Sequence, residues 1–292
     1  MRSSDQNTMK TAAIISKPNK PELKELLPGI LEWLTRHGYT TWVDEETAAY
    51  GVKDSVVPRA YIGEKKPRFV VVLGGDGTLL SAARAVAEYE IPLLAVNLGS
   101  LGFLTEVALP DLYSTLELVE HHECPVEQRS LLRCELIRDD KAYASWTALN
   151  DLVVNKSAIA RLVGFDMVID GTGVFSYKAD GVIVATPTGS TAYSLAAGGP
   201  ILMPSVDAFV ITPVCPHSLT HRPLVVRDSL QIDIVVQTGD EKAFLSIDGQ
   251  VGVPVQNGDR VRCSKSPYKV RLFRMKQTFF DVLRAKLKWA ER

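Results

Sequence analysis

Cysteine is scarce in this sequence, with four residues in a chain of 292. The four, Cys124, Cys134, Cys215 and Cys263, lie far apart and form no C-x-x-C pair. This spacing suggests neither a zinc site nor a disulfide framework. We therefore expect reduced thiols in a reducing, cytoplasmic compartment.

Long runs of one kind of residue are also absent. The formal net charge is −1, and neither half of the chain carries a block of Lys and Arg, which argues against a binder of nucleic acid or of anionic membranes. The longest apolar runs have the length of a strand, far short of a membrane span. Residues 1–8 are polar and do not resemble a secretory signal, and Met9 could serve as an alternative start. The expected partner is a small molecule or another copy of the chain.

The composition, 46% apolar and 23% charged, is that of an ordinary globular protein. The length is sufficient for one large domain or two smaller ones. Up to about residue 125, apolar runs alternate with amphipathic ones. They predict strands over 11–16, 69–73 and 92–97 and helices over 22–37, 78–88 and 111–121. Buried strands that alternate with helices are typical of a parallel sheet covered on both faces. We predict a Rossmann-like α/β domain over residues 9–125.

After residue 125 the pattern changes to short apolar runs separated by turns. Strands are predicted over 132–138, 147–154, 165–169, 182–185, 209–212, 230–236, 244–247 and 269–273. The clusters Asp170-Gly171-Thr172-Gly173 and Asn257-Gly258-Asp259 are strong turn signals. A last amphipathic run, 278–291, predicts a helix that packs back on a domain. We predict a mostly β domain over 126–275 and a C-terminal helix over 276–292.

A glycine loop directly follows the predicted strand 69–73. It reads Gly74-Gly75-Asp76-Gly77-Thr78 and opens a predicted helix, a position where backbone N–H groups and a helix N-terminus bind phosphate. A Walker A loop would end in Gly-Lys-Ser/Thr, and a dinucleotide G-x-G-x-x-G loop would need glycine in place of Leu80. The sequence therefore predicts another kind of phosphate loop, formed by Gly74, Gly75, Gly77 and Thr78.

Asp76 is the unusual residue of this loop, because a carboxylate repels phosphate. Such a residue is explained if it accepts a proton from an attacking hydroxyl, or if it helps to hold Mg²⁺ against phosphates. The alternative is a structural turn in which Asp76 caps the helix.

Four further segments are candidates for ligand contact. Residues 97–104 (NLGSLGFL) follow a buried strand and would lie at the same sheet edge, although turn glycines alone could explain them. Residues 186–201 (TPTGSTAYSLAAGGPI) are rich in small hydroxyl residues and could surround a nucleotide, or could form a loop and a short helix over 190–197. The pair at 150–151 and the segment 178–181 place polar residues within or beside apolar runs, where a ligand could be their partner. For 179–181, a hairpin turn is the alternative to ligand contact.

These motifs, in this order, closely resemble those of the bacterial NAD kinases. The matching segments are G-G-D-G-T at 74–78, N-L-G-S-L-G-F-L at 97–104, N-D at 150–151, T-P-T-G-S-T-A-Y-S at 186–194 and D-G-Q at 248–250. A lone G-G-D-G also occurs in lipid and sugar kinases, whereas the combination with the T-P-T-G-S-T-A-Y-S block is specific to this family. The resemblance implies an N-terminal α/β domain, a C-terminal β-sandwich-like domain and a nucleotide site in the cleft between them, with a second subunit usually contributing.

The resemblance also implies roles for individual residues. Asp76 resembles the general base for the ribose 2′-hydroxyl of NAD, with Gly77 beside it. The implied contacts to NAD are Asn150, Asp151, Arg161, Thr191, Ala192, Tyr193, Ser194, Leu195, Ala196 and Gln250, together with Lys178 and Asp180 from a neighbouring subunit. Relatives carry arginine or an uncharged residue in place of Lys178, which leaves open whether NAD or NADH is preferred.

The activity implied is transfer of a phosphoryl group from ATP or polyphosphate to the 2′-hydroxyl of the adenosine ribose of NAD, giving NADP. A divalent metal, Mg²⁺, is expected with the phosphates, with no direct protein ligand assigned. The expected partners are NAD, ATP and further copies of the chain in a dimer or tetramer, without nucleic acid or membrane. The alternatives are a lipid or sugar kinase that shares the glycine loop and a sensor that binds NADP without catalysis.

Overall fold

The structure is a computed structural model that describes residues 10–53, 55–99, 102–157, 162–218, 220–239, 241–275 and 278–289. The chain divides into two units. Unit 1 comprises residues 1–128 together with 270–292, and unit 2 comprises residues 129–269. The domain boundaries expected from the sequence stay a prediction.

Unit 1 alternates strands with helices. Its elements are β1 (Lys10–Ser16), α1 (Leu23–Arg36), β2 (Tyr39–Val43), α2 (Glu45–Ala48), β3 (Val70–Gly74), α3 (Asp76–Val86), β4 (Pro92–Asn97), β5 (Val107–Ala108) and α4 (Leu112–Glu120). The four longer strands pair in parallel in the order β4-β3-β1-β2, and β5 also pairs in parallel with β4. The predicted Rossmann-like parallel sheet is confirmed. Strand β2 reads YTTWV, without a continuous apolar run, and is a strand that the sequence analysis missed.

The helices of unit 1 cover the sheet because their apolar residues recur at helical spacing. In α1 the residues Leu23, Leu27, Ile30 and Leu34 are all buried, and they join one cluster with sheet residues such as Val71. This spacing places one stripe of the helix on the sheet and leaves the charged residues outside. Pro28 lies within the second turn of α1 and does not end the helix.

Unit 2 is mostly β. Its elements, two of which begin or end beyond its limits, are β6 (Val126–Arg138), β7 (Lys141–Ala148), β8 (Asp151–Lys156), β9 (Val163–Ile169), β10 (Thr172–Ala179), β11 (Gly181–Ala185), α5 (Tyr193–Ala196), β12 (Ala208–Val214), β13 (Leu224–Arg227), β14 (Ile232–Gln237), β15 (Ala243–Ile247), β16 (Val251–Val255) and β17 (Arg260–Phe273). The expected run 147–154 is divided between β7 and β8.

Two antiparallel layers form unit 2. In one, β14 pairs with β9 and β17, and β10 pairs with β9 at the edge. In the other, the order is β13-β12-β11-β8-β15-β16. Side chains from both layers, among them Phe165, Phe209 and Ile234, are fully buried in one cluster, as expected for the predicted β-sandwich.

The C-terminal part of the chain returns to unit 1. The last residues of β17 pair in parallel with β4, with Leu272 opposite Leu93. Helix α6 (Phe279–Leu287) begins with a capping box in which Thr278 and Asp281 satisfy each other's backbone N–H. It buries Val282 and Leu283, so the predicted C-terminal helix is present, shorter than expected. Among the described residues, no helix has the length and apolar character needed to cross a membrane.

Candidate active site

The glycine loop lies at the carboxyl edge of the parallel sheet of unit 1. Strand β3 ends at Gly74, Gly75 is the N-cap of α3, and Asp76 is the first helical residue. Gly74 has no room for a side chain, since a Cβ there would lie 2.4 Å from Thr78 Oγ1. The loop after β4 runs beside it, because Leu98 N–H donates to Gly74 O at 3.2 Å. Both predicted glycine segments therefore meet at the edge where ligands bind in such sheets.

Asp76 points away from its own helix and toward the segment that follows the second glycine loop. Its Oδ2 accepts from Phe103 N–H at 2.9 Å, and its Oδ1 accepts from the N–H groups of Leu104 and Thr105 at 3.2 Å each. The Thr105 hydroxyl donates to the same Oδ1 at 3.2 Å. The N-cap of α3 is Gly75, and the Asp76 carboxylate accepts from residues 103–105 instead, so the alternative in which Asp76 caps the helix is wrong.

Gly102 allows this contact. A Cβ at Gly102 would lie 2.1 Å from Asp76 Oδ1 and 2.4 Å from Thr105 Oγ1, closer than real side-chain atoms approach. The glycine of the predicted N-L-G-S-L-G-F-L segment therefore has a close-approach role beyond turn formation. Ser100 and Leu101 of this segment lie outside the described residues.

In unit 2, three motifs that are far apart in sequence come together. The carboxylate of Asp248 accepts from the N–H groups of Leu149 (3.2 Å), Asn150 (2.8 Å) and Asp151 (3.3 Å). Asn150 O in turn accepts from Thr186 N–H at 2.8 Å. The N-D pair, the T-P-T-G-S-T-A-Y-S block and the D-G-Q turn therefore form one constellation.

Glycine is again required where two segments of this constellation cross. A Cβ at Gly189 would lie 2.0 Å from Asn150 O. At Asp248 and Gly249 the backbone turns with φ of 51° and 63°, in the left-handed region that glycine adopts without strain. Close approach of the backbone therefore explains the glycine at 189, and the left-handed conformation explains the glycine at 249.

Asp151 is a buried carboxyl group, with 4% of its surface exposed. Burial first, and the nearby charge of Asp248 second, raise the pKa of Asp151 from 3.8 to about 7. Strongly perturbed carboxyl groups occur often at functional sites. Asp151 is therefore a candidate functional residue of unit 2.

The T-P-T-G-S-T-A-Y-S block is a buried loop followed by two short helical turns. The expected helix over 190–197 is divided into a 3-10 turn, Gly189–Thr191, and α5. Ser194 is fully buried, and its hydroxyl lies 2.8 Å from Thr212 Oγ1. Tyr193 is 42% exposed. The ring of Tyr193 is thus accessible, whereas the Ser194 hydroxyl is engaged within unit 2.

Lys178 and Asp180 lie where the chain passes from one layer of unit 2 to the other. Lys178 is exposed on β10, and Asp180 Oδ1 lies 2.9 Å from Lys156 Nζ. Strand β10 pairs with β9, whereas β11 pairs with β8 and β12, so a hairpin turn at 179–181 is wrong. Arg161, the remaining charged residue implied by the resemblance, lies outside the described residues.

Other predicted contacts are located as follows. Gln250 is exposed and its N–H closes the turn onto Ile247 O at 2.9 Å, and Leu195 and Ala196 belong to α5. No group of three or more His, Cys, Asp or Glu residues within the described ranges could hold a metal ion. Sequence reasoning did not single out Asp248, Gly102 or Thr105 as site residues. Asp248 and Gly102 lie within the motifs quoted above and Thr105 directly follows one of them, which was the available signal.

A glycine loop at the carboxyl edge of a parallel sheet, with a carboxylate at its centre, defines a class of protein that handles phosphorylated nucleotides. Comparison with known proteins identifies the family. The family model described as the ATP-NAD kinase N-terminal domain matches residues 12–124, and that of the ATP-NAD kinase C-terminal domain matches residues 149–275.

Two bacterial relatives match almost the whole chain. An NAD kinase of Koribacter versatilis is 63% identical and one of Acidobacterium capsulatum is 53% identical, each over 97% of this chain and 100% of the relative. Among solved structures, yeast NADH kinase complexed with NADH has a TM-score of 0.87 at 27% identity, covering 98% of this chain and 89% of that one. An NAD kinase from Archaeoglobus fulgidus in complex with ATP has a TM-score of 0.76 at 25% identity, covering 94% and 99%.

The chain belongs to the NAD kinase family, and its activity is the phosphorylation of NAD. The fold expected from the resemblance, an α/β unit and a mostly antiparallel β unit with a C-terminal helix, is confirmed. The comparisons support neither a lipid or sugar kinase nor a sensor without catalysis.

Proposed function

We propose that Asp76 is the general base of this NAD kinase and that the acceptor is the 2′-hydroxyl of the adenosine ribose. The observation that carries the proposal is the position of Asp76, a carboxylate fixed by four hydrogen bonds within a glycine loop at the ligand-binding edge of the sheet. Phosphoryl transfer to a hydroxyl needs a group that takes the hydroxyl proton, and a carboxylate at this edge is suited to do so.

The reaction follows from this assignment. The 2′-oxygen of NAD attacks the terminal phosphorus of the donor, the bond from that phosphorus to its bridging oxygen breaks, and Asp76 takes the hydroxyl proton. The products are NADP and the donor shortened by one phosphoryl group. The glycine-loop N–H groups at the start of α3 are suited to the donor phosphates. The remaining contribution of the protein is to position both substrates.

ATP is the proposed phosphoryl donor, with polyphosphate as the alternative. The family description names ATP, and the archaeal relative was solved in complex with ATP. A protein cage for Mg²⁺ does not fit the described residues, which offer no cluster of metal-ligating side chains. We therefore propose that the divalent cation enters with the donor phosphates and that no side chain of the protein is assigned to bind it directly.

The residues of unit 2 that we propose for NAD contact are those around the Asn150-Asp151 pair. Tyr193 offers an exposed aromatic ring that can cover a base. Asp248 accepts three hydrogen bonds from backbone N–H groups at Leu149, Asn150 and Asp151. These bonds fix the backbone that carries the Asn150 and Asp151 side chains. Thr191, Ala192, Leu195, Ala196 and Gln250 complete the proposed set, together with Ser194, whose hydroxyl is engaged by Thr212.

We also propose that Lys178 and Asp180 act on the NAD bound to a neighbouring copy in a homo-oligomer, and that Arg161 is a further contact to NAD. Support comes from the exposure of Lys178 on the edge strand β10 and from the position of Asp180 in a link between two layers. The proposed compartment is the cytoplasm, on the evidence of the dispersed cysteines.

The test is an assay of NADP formation from NAD and ATP with the Asp76→Asn variant. We expect kcat to fall at least about 100-fold, because the amide keeps the size of the carboxylate and cannot take the proton. The KM for NAD should change much less, and excess chelator should abolish turnover of the unmodified protein. A variant kcat equal to that of the unmodified enzyme would overturn the role of Asp76.

A further inference from the structure

Thr105 contacts Asp76, the proposed base, through two hydrogen bonds. Its side chain is fully buried, and its hydroxyl and backbone N–H both reach Asp76 Oδ1 at 3.2 Å. Two of the four hydrogen bonds to the carboxylate therefore come from this one residue, which lies 29 positions further along the chain.

The two oxygens of Asp76 are used unequally. Oδ1 accepts from Leu104 N–H, Thr105 N–H and the Thr105 hydroxyl, whereas Oδ2 accepts, among the described residues, from Phe103 N–H. A carboxylate oxygen has two lone pairs, so three donors occupy Oδ1 fully. Oδ2 keeps acceptor capacity and is the oxygen suited to take a proton.

The segment that supplies these donors is itself fixed in unit 1. Glu106 Oε2 accepts from Met275 N–H at 3.3 Å, and Val107 pairs with Val96 of β4. Gly102, at the other end, has no space for a side chain against Asp76. The donors to Oδ1 therefore belong to an anchored backbone, and the Thr105 hydroxyl is the one among them that substitution can remove without altering the backbone.

We infer that Thr105 is a positioning residue for NAD phosphorylation, which fixes the Asp76 carboxylate through Oδ1 so that Oδ2 faces the acceptor hydroxyl. The inference rests on the proposed role of Asp76 as the base. Thr105 itself touches neither substrate nor the reacting atoms in this assignment.

Thr105→Val tests the inference because it removes the hydroxyl and nearly preserves the shape. We expect kcat to fall on the order of tenfold, since displacement of a reacting group by about 1 Å costs up to about 100-fold and three donors remain. The KM for NAD should stay within about twofold, because substrate binding is not affected. Thr105→Ser, which keeps the hydroxyl, should recover most of the rate.

Thr115→Val is the matched control. Thr115 is also fully buried in unit 1, and its hydroxyl donates to Asp111 O at 2.7 Å, away from Asp76. A general effect of removing a buried hydroxyl would lower kcat in both variants, whereas a positioning role lowers it in Thr105→Val alone. Thermal unfolding of each variant gives the folded fraction by which kcat is normalised.

A double-mutant cycle separates this inference from the role of Asp76. If Thr105 acts through the base, Thr105→Val should add no further loss in the Asp76→Asn background. An equal loss in both backgrounds, or a kcat of Thr105→Val equal to that of the unmodified enzyme, would overturn the positioning role. If Thr105→Val does not fold, Thr105→Ser and Thr105→Ala differ by the same hydroxyl, and equal kcat in those two variants would also overturn it. A fully active Asp76→Asn variant would refute the base instead.

Discussion

Replacing Asp151 by Asn should make the protein more stable at neutral pH. The carboxyl group of Asp151 is almost completely buried and lies near the charge of Asp248. Burial first, and Asp248 second, raise the pKa of Asp151 from 3.8 to about 7. An Asn side chain has nearly the same shape and carries no charge, so it avoids the cost of ionising a buried carboxyl group.

The sign and size of the effect follow from proton linkage. Between pH 3.8 and about 7 the folded protein holds a proton at Asp151 that the unfolded chain has lost. The free energy of unfolding therefore falls as pH rises through this window, and the loss is complete above the folded-state pKa. At about 1.4 kcal/mol per pKa unit, Asp151 should lower the stability by about 3 kcal/mol between pH 5 and pH 8.

The assay is urea unfolding of the unmodified protein and of Asp151→Asn at pH 5, 6, 7 and 8. The difference between the two free energies of unfolding removes contributions from other titrating groups, if those act independently. The variant should gain relative to the unmodified protein as pH rises. The same variant should also raise the KM for NAD if Asp151 contacts it, as stabilising changes at binding sites often reduce function.

Asp233→Asn is the matched control in the same unit. Asp233 is also buried, but its Oδ1 lies 2.9 Å from Arg262 Nε. Removing this carboxylate leaves a cation without its partner, so the control should be less stable at pH 8 rather than more stable. If the free energies of unfolding of the unmodified protein and of Asp151→Asn changed in parallel from pH 5 to 8, the reasoning about Asp151 would be refuted.

Two further predictions concern binding and assembly. Tyr193→Ala should raise the KM for NAD more than it lowers kcat in steady-state assays, because an exposed covering ring contributes equally to ground and transition states; a loss in kcat alone would contradict this. Co-expressed Asp76→Asn and Asp180→Ala chains should regain activity, up to roughly one site in two of a mixed dimer, if the two residues serve one site from different subunits. With subunit exchange verified, activity no higher than that of the better parent would exclude the shared site.

The parallel sheet of unit 1 could be predicted from the sequence because its strands are apolar throughout. Val70–Gly74 and Pro92–Asn97 are almost entirely buried, so their pattern does not depend on which face is covered. In unit 2, none of the first five residues of β10 is buried, and the strand contains Gly173 within an irregular register. The sequence cluster at 170–173 therefore indicated a turn, whereas the strand already begins at Thr172.

The glycine-aspartate loop of the candidate site could also be predicted, because glycines, a carboxylate and a helix start are all local in sequence. The partners of that carboxylate could not. Phe103 and Thr105 reach Asp76 only after the chain has passed through α3 and β4, and Asp248 reaches Asn150 across 98 positions. Which backbone N–H groups a carboxylate accepts depends on the packed fold, and hydrophobic periodicity carries no information about it.

Asp76 and Asp248 share one arrangement, in which a carboxylate accepts the N–H groups of three successive residues of a distant segment. This affects how the Asp76→Asn variant must be interpreted. An amide can direct its oxygen to the three donors at Oδ1, but its NH2 group then faces Phe103 N–H, which also donates. The variant therefore disturbs one hydrogen bond in addition to removing the base. Thr105→Val measures the effect of disturbing one such bond while the base is kept. Because base removal should cost on the order of 100-fold to 10,000-fold, a loss in Asp76→Asn well beyond that of Thr105→Val belongs to the proton transfer.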